Sequence, residues 1–366
     1  MAETKFDLNQ GLSGKYSIFK VFHHKKKIES FLEEEVVTPP IAIRIKPTNK
    51  CNHGCFYCVY ESSFSGIHPD MKREDELSKE KIMEVLEDLR DMGVRAATYS
   101  GGGEPLMHPN ITQAFQKTLD YKIGLSLITN GLNLSGEKAE LLAEADWVRV
   151  SIDYCDAEMM RKIRQKDKSA FDQTTKNLHK FAKIKKANCD FEANCVIHEH
   201  NFDRLYDIAK FLKEQGIENV RFAPCWFPKF EAYHDKFREI VIEQIEKAKQ
   251  IGDRTFSVGS TYEKYFKDNT DSTKRPERCY WMQVVPVIAA DYNVYTCHNK
   301  AYDPSGTIGS IKSISFKNLW FSKKSADFFM KFNPRENCNH ECSSHERNVL
   351  ISEWLACADP KLCRYP

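Results

Sequence analysis

The chain has 366 residues, with 54 basic against 52 acidic side chains and a formal charge of +2, so no broad electropositive surface for nucleic acid is expected. Apolar residues at 41% and charged residues at 29% describe a folded globular protein and exclude wholesale disorder. No stretch reaches transmembrane length and the first residues lack the apolar core of a secretory signal. The 13 cysteines are therefore expected to be metal ligands and free thiols in a reducing, cytoplasmic setting.

Residues 1–39 read as an N-terminal extension, too short for a separate peptide-binding domain, with a solvated basic run from His23 to Lys27. From about 40 to 230, short β-branched runs alternate with amphipathic helical stretches, the pattern of a parallel α/β domain. The predicted strands are Ile41–Ile45, Arg95–Ser100, Gly124–Ile128, Trp147–Ile152, Asp190–Ile197 and Val220–Ala223. Helices are expected over Leu77–Met92, Asn110–Asp120, Ser135–Ala145, Ala170–Lys186 and Phe202–Gln215. Six strand–helix units fall short of a closed eight-stranded barrel and suit an open partial (β/α)6 barrel. Residues 231–275 read as a polar helical bridge. Residues 276–366, rich in cysteine, aromatic and turn residues, read as a separate module.

The chemistry-bearing motifs follow predicted strands, where ligands converge in α/β barrels. After the first comes Cys51-Asn-His-Gly-Cys55-Phe-Tyr-Cys58. Iron–sulfur cubes are ordinarily held by four cysteines, so three thiolates in one loop leave one iron open to another ligand. Thiolates also build closed tetrahedral zinc sites, the alternative reading, but no second cysteine clip lies near this one. After the second strand comes the run Gly101-Gly-Gly-Glu-Pro105; the third ends at Thr129-Asn130-Gly131 and the fourth at Ser151-Ile-Asp153.

These loops resemble those of the radical S-adenosylmethionine superfamily. The resemblance implies that Cys51, Cys55 and Cys58 hold a [4Fe–4S] cluster whose open iron is chelated by S-adenosylmethionine. One-electron cleavage of that sulfonium would give a 5′-deoxyadenosyl radical. Tyr57 matches the aromatic residue usual before the third cysteine. Gly102, Gly103, Glu104 and Pro105 match the motif that contacts the amino group of S-adenosylmethionine, while Asn130, Ser151, Asp153 and Arg164 are candidates for its ribose and carboxylate. Arg164 equally reads as one more solvated residue on a basic helix face. Asn201 resembles an asparagine frequent in relatives. Cys225, after the sixth strand, reads either as a hydrogen-atom donor facing substrate or as a small buried hydrophobe.

In the C-terminal module, Val284–Ala290 and Val294–Cys297 read as a hairpin with Cys279 and Cys297 at its open end. A Gly-Thr-Ile-Gly turn follows, then a helix from Ser315 to Phe332, then Cys338 and Cys342. Four thiols from two distant clips make one site, for iron–sulfide or for zinc. The arrangement resembles the twitch form of the SPASM domain, which implies an auxiliary [4Fe–4S] cluster. Its second clip is C-x3-C where C-x2-C is usual, and Cys357 and Cys363 are left over. The expected reaction is hydrogen abstraction from a small polar metabolite such as a sugar, aminocyclitol or nucleotide-linked compound, giving net oxidation or rearrangement, with flavodoxin or ferredoxin as electron donor. A ribosomally made peptide is the alternative substrate, and a nucleic acid a third.

Overall fold

The computed structural model describes residues 17–33, 36–60, 68–226, 230–267, 275–338 and 342–357. A single ten-stranded sheet organises them, in the order β10-β9-β8-β1-β2-β3-β4-β5-β6-β7. Strands β1 (Ala42–Ile45), β2 (Ala96–Tyr99), β3 (Gly124–Thr129), β4 (Trp147–Ser151), β5 (Asp190–Ile197) and β6 (Asn219–Pro224) run parallel, within a residue or two of expectation. A seventh, β7 (Ser257–Ser260), pairs parallel with β6. It lies inside the stretch read as a helical bridge. Its sequence, Ser-Val-Gly-Ser, lacks the β-branched run that would have announced it.

Alternation along the strands separates two faces. Ile43, Ile45, Leu125, Leu127, Val148, Val150, Phe191, Val220 and Phe222 are buried against the helical layer. Each such side chain contributes about 1.5–3 kcal/mol by leaving water. The intervening residues, among them Arg44, Thr98, Ser126, Arg149, Glu192 and Arg221, lie on the opposite, concave side. The helices follow from period and caps. Lys79–Met92 starts at Ser78, whose hydroxyl accepts from Lys81 N at 3.1 Å, and ends at Gly93 with φ of 71°, a conformation glycine adopts without penalty. A helix that periodicity did not reveal, Ala157–Arg164, follows β4; Asp156 caps it, accepting from Met159 N at 2.8 Å.

The C-terminal hairpin is not detached from the barrel. β8 (Val287–Ile288) pairs parallel with β1, in register Arg44↔Val287 and Ile45↔Ile288, and antiparallel with β9 (Asn293–Tyr295). The stretch expected to be a Gly-Thr-Ile-Gly turn is a strand, β10 (Thr307–Ser310), antiparallel to β9. The single helix expected from Ser315 to Phe332 is two, Phe316–Trp320 and Lys323–Lys331. The Ser322 hydroxyl caps the second, accepting from Ser325 N at 3.2 Å, and interrupts the run. In the N-terminal extension, Val21, Ile28 and Phe31 pack against Val284 and Ile351 of the C-terminal module. Lys27, read as solvated, is buried and donates to the carbonyl and hydroxyl of Thr38 at 3.0 and 2.9 Å; burial holds its ammonium down to about 7. No helix among the described residues is long and apolar enough to cross a membrane.

Candidate functional site

The three loops singled out after β1, β2 and β3 meet at one end of the sheet. The glycine run touches the cysteine loop through Gly103 N to Thr48 O at 3.2 Å and Glu104 N to Lys50 O at 2.9 Å. Glycine is required for this approach, because a methyl group at residue 103 would overlap the Lys50 carbonyl. Glu104 is buried. Its carboxylate accepts from Thr129 Oγ1 at 2.7 Å, Asn130 N at 2.7 Å and Leu106 N at 3.0 Å, so it clamps the ends of β2 and β3 together. Burial raises its carboxyl, and these donors act in the opposite direction. Pro105 opens the short turn that Glu104 caps, and Gly102 packs against Asn49. Asn130 donates from Nδ2 to Asn52 Oδ1 at 2.7 Å, tying β3 to the cysteine loop as well.

Cys51, Cys55 and Cys58 are half-buried. Burial pushes the Cys51 thiol up to about 11, and Glu104, Cys55 and Cys58 add to the shift through their charge, which places the three thiols and that carboxylate within electrostatic reach of one another. A metal bound by these thiols would have to displace protons from the loop. The other anchor comes from the helix after β4. Gly54 N donates to Arg164 O at 3.0 Å and Phe56 N to Ile163 O at 3.3 Å.

Arg164 is not a solvated helix residue. At 4% exposure its guanidinium donates to Asp153 Oδ1 at 2.9 Å, to the Ser151 carbonyl at 3.1 Å and to Cys55 Sγ at 3.0 Å. Asp153 is fully buried and also accepts from the Tyr57 hydroxyl, with His198 Nε2 3.7 Å from its second oxygen. Burial alone would push its carboxyl up, but Arg164, His198 and Tyr57 outweigh that and hold it at about 2. Asn201 donates to Asp153 O at 3.0 Å and Val196 O at 2.8 Å, joining the ends of β4 and β5. Cys225 follows β6 with 1% exposure; burial raises its thiol, and its sulfur donates to the Trp226 carbonyl at 3.7 Å.

Cys279, Cys297, Cys338 and Cys342 line one cavity of about 550 Å³, counted to its mouth, with Trp281 and Phe332 among its walls. Burial raises the Cys279 thiol, and Cys342, Cys297 and Cys338 each push it further. Asn348, which sequence did not single out, sets the geometry: its Oδ1 accepts from Tyr280 N at 2.7 Å and its Nδ2 donates to Arg278 O at 2.7 Å, fastening the final helix over the Cys279 segment. Cys357 is exposed at the end of that helix, while Cys363 lies outside the described residues.

Both cysteine sets fit iron–sulfide. The four thiols of the second set line one cavity, with room between them for iron–sulfide as for zinc. Inside the first loop, His53 is buried, and among the described residues both its ring nitrogens lack a hydrogen-bond partner, buried polar capacity left open within the loop itself.

Residues 45–212 match the model of the Radical SAM superfamily. Among solved structures, Streptococcus suis SuiB bound to precursor peptide SuiA is similar at 15% identity and a TM-score of 0.60, over 87% of this chain and 75% of that one. AnSMEcpe with bound AdoMet is similar at 19% identity and 0.57, over 88% and 98%. At such identities the likeness is one of fold. The superfamily match makes residues 45–212 a radical SAM domain, of a superfamily whose enzymes use a [4Fe–4S] cluster, S-adenosylmethionine and an external electron donor.

Proposed function

We propose that the enzyme cleaves S-adenosylmethionine at a cluster held by Cys51, Cys55 and Cys58 and takes a hydrogen atom from a small polar substrate in the open barrel, with an auxiliary [4Fe–4S] cluster held by Cys279, Cys297, Cys338 and Cys342. The observation that carries this reading is the convergence of the cysteine loop, the Gly102–Pro105 run and the ends of β3 and β4 through Glu104, Asn130, Asp153 and Arg164. Bound cluster and S-adenosylmethionine supply the one-electron cleavage that yields a 5′-deoxyadenosyl radical. The protein's part is positional: Arg164 fixes Cys55 and neutralises Asp153, Tyr57 closes over that pair, and Glu104 fixes the strand ends around the remaining corner. Gly102, Gly103, Asn130 and Ser151 line the approach to it. An auxiliary cluster would take up or relay an electron, making the net reaction an oxidation; without that transfer a rearrangement results. Flavodoxin or ferredoxin fits as donor.

The polar substrate reading is supported by the concave face, where Arg44, Thr98, Ser126, Arg149 and Glu192 alternate with the apolar core positions. A peptide substrate is the second reading, favoured by the likeness to SuiB with a bound precursor peptide and to anSMEcpe, also solved with Kp18Cys peptide. Anaerobic incubation of reconstituted enzyme with S-adenosylmethionine and dithionite tests the central claim. Formation of 5′-deoxyadenosine is expected, and its absence from fully iron-loaded protein would overturn it.

A further inference from the structure

Two cations on β1 have no use in the site as described. Arg44 and Lys46 stand two residues apart, so both lie on the concave face, while Ile43 and Ile45 go into the core. β1 is the central junction of the sheet, with β2 on one side and β8 on the other. Among the described residues the Arg44 guanidinium makes no ion pair and no hydrogen bond. Lys46 is 0% exposed and has no carboxylate partner; its Nζ donates to the Tyr60 hydroxyl at 2.6 Å and lies 4.3 Å and 5.3 Å from the ring centroids of Tyr60 and Tyr302.

The nearby acids are committed elsewhere. Glu192 takes Arg149 at 2.7 Å, and Asp291 accepts from Tyr295 at 2.5 Å and from Asn293 at 2.8 Å. Burial lowers both cations, and Arg44 lowers Lys46 further. Arg44 is within electrostatic reach of Cys297, and Lys46 of Cys297, Asp291 and Cys58. Asp291 and the thiols act on the pair only from a distance; among the described residues neither the half-buried Arg44 nor the buried Lys46 has an ion-pair partner, an unfavourable arrangement that an anionic ligand would relieve. The walls around it are built: Tyr302 donates to Asn49 and Tyr60 stacks on His68 at 4.5 Å.

We infer that Arg44 and Lys46 bind an anionic group of the substrate, a carboxylate or a phosphate, beside the rings of Tyr60 and Tyr302. The inference rests on the functional reading above and sharpens it: a fork-shaped guanidinium beside an ammonium suits two-oxygen recognition, and the aromatic rings of Tyr60 and Tyr302 flank the seat.

The test uses full-length, anaerobically reconstituted protein and two probes, inorganic phosphate and succinate, titrated by calorimetry at fixed ionic strength. Saturable binding of at least one probe is expected, weakened about tenfold or more in Arg44→Met and less in Arg44→Lys. Preference for phosphate points to a phosphorylated substrate and preference for succinate to a carboxylated one. Phenylglyoxal labelling of Arg44 in the wild type, mapped by peptide mass spectrometry, should fall severalfold when either probe binds, and decides the matter if a variant fails to fold. Absence of saturable binding, binding indifferent to Arg44→Met, or labelling of Arg44 indifferent to both probes would overturn the inference. So would a shifted cluster midpoint potential in Arg44→Met with anion affinity unchanged, since the charges would then serve the clusters. Cleavage of S-adenosylmethionine by wild-type enzyme is scored separately, so failure of the reaction reading and failure of the anion site are told apart.

Discussion

The two cysteine sites are built on opposite plans. The first takes its three thiols from eight consecutive residues, and the fold contributes braces: Glu104 and Asn130 reach the loop from beyond β2 and β3, and Arg164 from the end of the helix after β4. The second takes its four thiols from two clips far apart in sequence, which Asn348, β8 and the final helix bring around one cavity. A local site survives partial unfolding of its surroundings better than an assembled one, because fewer distant closures must be held.

The largest expected effect breaks the first plan. Cys55→Ala should remove the first cluster's iron and abolish 5′-deoxyadenosine formation, read by iron assay and chromatography. Cys279→Ala should lose only the auxiliary iron and keep cofactor cleavage while product disappears; loss of both clusters together would show the sites to be one cooperative unit. Next is the brace. Asp153→Ala leaves Arg164 buried and unpaired, costing about 3–5 kcal/mol, measured by denaturant unfolding of the apoprotein, with faster iron loss to a chelator from the first site than from the second.

The same carboxylate gives an acid signature. Its folded value of about 2 is depressed, below the roughly 3.9 of an unfolded aspartate. Its contribution is therefore present above pH 4 and lost as pH falls through the window from about 4 to about 2, on the order of 2 kcal/mol. Unfolding free energies across that window should show the slope in wild type and not in Asp153→Asn. The smallest effect is expected at Lys264 and Glu346, an ion pair with both side chains 47% exposed. Lys264→Ala should shift stability by less than about 1 kcal/mol, which calibrates the larger losses.

What could be read in advance followed the same division. Period-2 and period-3.6 patterning was enough for β1 to β6 and most of their helices, since those segments bury one regular face. It missed β7, whose residues are small and barely buried, and it fused the helices at Phe316–Trp320 and Lys323–Lys331, because a serine cap inside an amphipathic run is a weak break. Arg164 looked like any basic helix residue, since nothing in Arg161-Lys162-Ile163-Arg164 distinguishes the one that turns inward. Arg44 and Lys46 carried a readable signal, a charge at every second position of an apolar strand, but alternation says only that they leave the core, not what they face.

The amino-acid sequence by itself determined the cluster loop, the glycine run beside it and the parallel strand–helix order, because each is a short-range pattern in which spacing alone brings the groups together. The tertiary structure alone decided that β8 joins β1, that Arg164 is taken up by Asp153 and Cys55, and that Lys46 is buried against Tyr60 and Tyr302 without an ion-pair partner among the described residues. Those outcomes depend on which distant surfaces close on one another, and local spacing does not encode them.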